Sequence, residues 1–103
     1  MNPRRNGASH FRVTLLARAR ESLTAIYRQA KAADRPLIAA AARRIHHRLE
    51  TDPREFGEPS TEYEAARLDS RRGAVAPLVV YYGVHQTLPE VFVADFRHLP
   101  GSL

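Results

Sequence analysis

Four arginines in the second half of the chain, Arg67, Arg71, Arg72 and Arg97, stand among residues that can move protons, Tyr81, His85 and His98. A guanidinium grips anionic oxygens through a planar, bidentate fork. Tyrosine and histidine can act as acid or base. These residue types fit the binding and reaction of an anionic group. Other chemistries fall away. The sequence has no cysteine, which excludes disulfides, thiolate zinc sites and thiol nucleophiles. His46 and His47 are neighbours on an expected helix and point in different directions, so no metal site or cofactor is expected. Each candidate also has a plainer explanation. Arg71 and Arg72 suit a solvated turn, Tyr81 could pack under a loop, and His85 and His98 could simply end strands. Asp95 and Arg97 could form a surface ion pair.

The charge is uneven. The net charge is +5, and fifteen of the sixteen basic residues are arginine, Lys31 being the exception. Residues 1–50 carry 11 basic against 3 acidic side chains, and residues 51–103 carry 5 against 8. A basic half favours a polyanion or an acidic protein segment as partner, although charged outer faces of two helices explain it as well. No apolar run approaches the roughly 20 residues that span a bilayer. A soluble cytoplasmic protein is expected, with a flexible lead-in over residues 1–10 and one domain over 11–103.

Elements that could position the candidates follow from periodicity. Phe11 to Leu15 alternates apolar and polar residues, which predicts a strand. Leu16, Ala19, Leu23, Ile26 and Ala30 then draw one stripe on a helix over 17–33. Asp34-Arg35-Pro36 starts a second helix over 35–51, with Asp34 as its cap and Ile38, Ala41, Ile45 and Leu49 as its stripe. Asp52-Pro53 ends it, and a Pro-, Gly- and acid-rich loop follows. A weak strand is expected within 63–69 and a turn over Ser70 to Gly73. Leu78 to Val84 is the strongest strand, and Val91 to Arg97 pairs with it as a hairpin.

The expected fold class is α+β, in the order β-α-α-β-β-β. It comprises a small, four-stranded, mostly antiparallel sheet with a helical hairpin on one face. Alternation places Val80, Tyr82, Val84, Phe92, Ala94 and Phe96 against the helices. Val79, Tyr81, His85, Asp95 and Arg97 then share the opposite, open face.

Three stretches resemble the RelE/ParE superfamily of type II toxins, also called plasmid-stabilisation proteins. Thr14 to Leu23 resembles the family's first strand–helix junction, and Leu49 to Glu58 resembles the helix exit of some members. Leu78 to Leu99 resembles the closing hairpin, with Tyr82-Gly83-Val84 at a tyrosine–any–valine position and Phe96-Arg97-His98 at the end of the last strand. The likeness spans residues 11–99. It implies either metal-independent mRNA cleavage on the ribosome or poisoning of DNA gyrase. In both cases a cognate antitoxin would silence the protein. An inert binding module with the same fold, or a general nucleic-acid binder using the arginine-rich helices, is the alternative.

Cleavage of RNA without a metal needs a 2′-hydroxyl deprotonated, the phosphorane charge held and the leaving oxygen protonated. The resemblance implies Arg67, Arg72, Tyr81, Arg97 and His98 as catalytic candidates, with Arg71 and His85 beside them. The sequence departs from the family in three places. The arginine of the third strand falls at Leu78 or Val79, the His-Arg pair becomes His98-Leu99, and the C-terminal tyrosine is replaced by Pro100-Gly101-Ser102-Leu103. These departures imply weak or absent cleavage with antitoxin binding retained.

Overall fold

A computed structural model describes residues 10–102. The flexible lead-in expected over residues 1–10 lies outside them, apart from His10. Strand β1 (Arg12–Leu15) leads into helix α1 (Ala17–Gln29), a 3-10 turn (Ala32–Asp34) and helix α2 (Arg35–Thr51). A single helical turn, α3 (Pro53–Phe56), precedes β2 (Glu58–Pro59), β3 (Leu68–Val75), β4 (Leu78–His85) and β5 (Glu90–His98). The sheet order is β1-β5-β4-β3-β2, with β1 parallel to β5 and the remaining pairs antiparallel. The α+β class and the two helices agree with expectation, but the sheet has five strands rather than four.

The α2 stripe packs as its spacing requires. Ile38, Ala41, Ile45 and Leu49 are all buried, and they meet Leu78, Val80, Tyr82 and Val84 of β4 in one core. Helix α1 adds Ala19, with Leu23 and Ile26 half-buried against the same core. This helix stops at Gln29, four residues before the expected end. The Arg35 side chain donates to the carbonyls of Tyr27 and Arg28, both at 3.0 Å, and its guanidinium lies over the Tyr27 ring. A cation thus satisfies the free carbonyls at the helix C-terminus. Asp34 makes no capping hydrogen bond, contrary to expectation. The 3-10 turn brings the chain into α2 instead.

Two corrections concern the sheet. Ser70 to Gly73, expected as a turn, lies inside β3, and the weak strand expected over 63–69 begins only at Leu68. Pairing of all eight β3 residues with β4, the most apolar strand, overrides the poor local propensity of Ser-Arg-Arg-Gly. The turn falls at Ala76-Pro77, whose peptide bond is cis. In β5, Val91, Val93 and Phe96 enter the core, rather than Phe92, Ala94 and Phe96. Tyr81 pairs with Asp95 while Tyr82 pairs with Val93, so Ala94 is an extra residue in a β-bulge. The bulge inverts the alternation on its N-terminal side.

Helix turn α3 anchors β3. The Phe56 ring stacks on Tyr82 at 6.1 Å, Arg48 lies over Phe56, and the Tyr82 hydroxyl donates to the Pro53 carbonyl at 2.7 Å. Gly73 makes room for this ring, since a Cβ there would stand 2.5 Å from Phe56. Gly73→Ala is therefore expected to destabilise by about 1–3 kcal/mol through overpacking. Urea denaturation checks this, and a Phe56→Leu background should recover part of the loss because the clash lies with that ring.

Candidate functional site

The face of the sheet away from the helices carries a row of side chains across neighbouring strands. Glu58 on β2 lies opposite Arg72 on β3, Arg72 opposite Tyr81 on β4, and Tyr81 opposite Asp95 on β5. Residues directly opposite in a sheet point to the same side. Arg97 stands one step further along β5, across from Val79. Sequence reasoning placed Tyr81, Asp95 and Arg97 here, and the structure agrees.

This face is not open as expected, because the segment after β2 folds across it. Tyr63 adopts a left-handed backbone, with φ of 56°, and lays its ring edge-on against Tyr81 at 5.5 Å. Its hydroxyl donates to Asp95 Oδ2 at 2.7 Å and accepts from Arg97 at 2.8 Å. The Arg97 guanidinium lies 4.7 Å from the Tyr81 ring centroid. Arg18 reaches round from α1 to sit 5.6 Å from the centre of the Tyr63 ring. Tyr81 is left only 7% exposed, whereas the arginine side chains remain near the surface.

Electrostatics tie the cluster together. Burial pushes the Asp95 carboxyl upward, but hydrogen bonds from Ser22, Tyr63 and the Phe96 N–H, with the charge of Arg97, outweigh it and hold the pKa below the ordinary value. Asp95 is therefore an anion inside a cage of donors. The sign for stability follows from this depression. The contribution is full above the unfolded carboxylate pKa of about 3.9 and is lost as pH falls through the lower folded value. Asp95→Asn should cost about 1–3 kcal/mol at neutral pH. In thermal melts the gap between variant and wild type should hold from pH 7 down to about 3.9 and narrow as pH falls further. A constant gap would show that Asp95 acts through shape alone.

The candidates named from sequence divide. Arg72, Tyr81 and Arg97 come together. Arg67 ends the covering loop, with φ of 66°, and its carbonyl accepts from the Gln86 N–H at the far end of the sheet. That end is roughly 20 Å from Arg97, at about 3.3 Å per strand residue. His98 pairs with Leu78, a core residue, and so lies on the opposite face from Arg97. His85 Nδ1 accepts the backbone N–H groups of Thr87 and Leu88, which closes the β4–β5 hairpin. Arg71 also points to the helix side, where it donates to the carbonyls of Arg54 and Gly57. Sequence reasoning missed Tyr63, Glu62 and Arg18. No local signal marks Tyr63, which lacks the glycine or asparagine that usually accompanies a left-handed turn.

The cluster gathers two cations, Arg72 and Arg97, beside aromatic faces, each with a glutamate carboxylate nearby, at 3.9 Å and 3.6 Å. Two phenols, Tyr63 and Tyr81, stand there, while both histidine candidates are directed elsewhere. Among the described residues no group of three or more His, Asp or Glu side chains could hold a metal ion. None of the described helices is long and apolar enough to cross a membrane.

No protein-family model matches the chain, and no curated protein matches it by sequence. Among solved structures, it is similar to a chain of the toxin–antitoxin complex RelBE2 from Mycobacterium tuberculosis. The TM-score is 0.66 at 15% identity, over 88% of this chain and 93% of that one. The likeness shows at the level of the fold that the chain has the RelE-like architecture which its strand–helix junction and closing hairpin led us to expect.

Proposed function

We propose that this protein is the toxin-type member of a type II toxin–antitoxin pair, acting in the cytoplasm on translation and neutralised by a cognate antitoxin. The observation that carries the reading is the Arg72–Tyr81–Arg97 cluster on the sheet face away from the helices, in a fold shared with a chain of a toxin–antitoxin complex. Two guanidinium groups beside aromatic faces suit the phosphates and bases of single-stranded RNA. Phosphate contacts of this kind favour an RNA target over gyrase.

Cleavage itself should be slow. Removing one donor that stabilises a transition-state charge typically costs about 100- to 1000-fold in rate. A missing proton-transfer group typically costs about 100- to 10,000-fold. Here His98 stands on the wrong face, His85 closes a turn, and Tyr81 is covered. Antitoxin binding has different needs, an apolar groove and a complementary field, and the basic helices provide the field. Tyr27 and Leu37 are exposed apolar side chains on that helical pair.

Induction in a bacterial host, with and without the product of the neighbouring reading frame, tests the pairing. Growth arrest relieved by that product is expected. Unimpaired growth at high expression, together with no complex between the two proteins, would overturn the reading.

A further inference from the structure

The arginines of the proposed RNA-binding face are already occupied by the protein's own acidic loop. Glu62 Oε2 stands 3.6 Å from Arg97, and Glu58 Oε2 stands 3.9 Å from Arg72. The Tyr63 hydroxyl takes a further Arg97 N–H, and Asp95 on β5 stands 3.5 Å from Arg97 Nε. Carboxylate and phenol oxygens thus sit where phosphate oxygens and a stacked base would bind. We infer that residues 61–67 form a displaceable strap which, with Glu58 on β2 beside it, competes with polyanionic nucleic acid for Arg72, Arg97 and the Tyr81 face.

The strap is held at its two ends and, between them, by the Tyr63 side chain. Glu62 is tied at its root, its carbonyl accepting from the Ser70 hydroxyl at 2.6 Å and its N–H donating to Ser60 Oγ at 3.2 Å. From Tyr63 to Ala66, the one backbone bond to a strand among the described residues is that of Leu68 N–H, at the start of β3, to the Ala65 carbonyl. Tyr63 is therefore the anchor. Tyr63 and Arg67 are both non-glycine residues at positive φ, a conformation that persists only while contacts enforce it. A groove of about 1060 Å³ is lined by Ser60, Glu64 and Ala65 of this segment and by Leu68 and Ser70 of β3. The loop has room to swing away once an external anion takes over its arginines.

The inference rests on the proposed anion-binding face but can fail separately from it. The probe is a short, fluorescently labelled single-stranded oligodeoxynucleotide, which lacks the 2′-hydroxyl and cannot be cleaved by that route. Glu58→Gln combined with Glu62→Gln should tighten binding about tenfold, the order expected when two competing surface ion pairs are removed. Glu55→Gln combined with Glu64→Gln changes net charge equally without touching an arginine pair. Tightening confined to the first variant, with faster amide hydrogen exchange at Leu68 and Gln86, whose N–H groups bond to strap carbonyls, when wild type is saturated with oligonucleotide, is the expected result. Equal tightening in both variants would reduce the effect to net charge and overturn the strap. No tightening in either variant, or exchange that slows, would overturn it as well. A protein that passes this test but leaves translation untouched would keep the strap and lose the translation target.

Discussion

Alanine at both Arg72 and Arg97 is expected to weaken single-stranded oligonucleotide binding on the order of 100-fold and to abolish any growth arrest. Each charge-assisted contact to a phosphate contributes roughly a factor of ten, and 1.4 kcal/mol is one such factor. The salt dependence should fall in parallel. Removing one phosphate contact to a single strand lowers the slope of log K against log salt by about 0.7. Arg67→Ala is the internal control, since Arg67 ends its loop at the other end of the sheet. Both altered arginines are near the surface, with side chains 36% and 45% exposed, so the helices and the core beneath should survive. Fluorescence anisotropy over a salt series measures both quantities. Equal losses from Arg67→Ala and from the double change would mean that the general positive field, rather than this cluster, binds the strand.

The largest stability effect should come from Ile45→Ala, at about 2–4 kcal/mol. Ile45 is 1% exposed at the middle of the α2 stripe, between Ala41 and Leu49 and against β4 and β5. Removing its methyl and methylene groups loses transfer free energy and leaves a cavity that a packed sheet cannot readily close. The melting temperature should fall by roughly 10–20 °C in a domain of this size. Leu37→Ala, in the first turn of the same helix but 54% exposed, should change it little. Urea denaturation of the pair is decisive. Similar losses would mean that α2 does not present the face that its periodicity defines.

The contrast between these two residues shows where the sequence was legible. Ile38, Ala41, Ile45 and Leu49 are spaced by one helical turn, and burial follows from that spacing directly. Strand β4 was legible for a similar reason, because its β-branched and aromatic residues have little alternative to a sheet. Ser70 to Gly73 hid β3, since its pairing is carried by the backbone and its arginines find partners only in the folded protein. The bulge at Ala94 carries no glycine or proline to announce it, so the inward residues of β5 were off by one before it. Helix α1 ends early because Arg35 folds back on its carbonyls, a contact across a turn that periodicity cannot register.

The site divides in the same way. Tyr81 follows from alternation on β4, and Asp95 and Arg97 follow from alternation on the part of β5 that lies C-terminal to the bulge. Tyr63 and Arg18 arrive from a loop and a helix, and their place depends on how those elements cross the sheet. His98 lies away from Tyr81 through the same period of two that puts Arg97 beside it. Its neighbouring position turns it to the other face.

Whether the protein acts on translation is decided in a cell-free translation reaction supplemented with the purified chain, with protein synthesis followed alongside primer extension of the mRNA. We expect dose-dependent inhibition that disappears in Arg72→Ala/Arg97→Ala, is relieved by the cognate antitoxin, and leaves most mRNA ends intact. Undiminished synthesis at saturating protein, accompanied by inhibition of gyrase supercoiling or by no effect in either system, would refute a translation target.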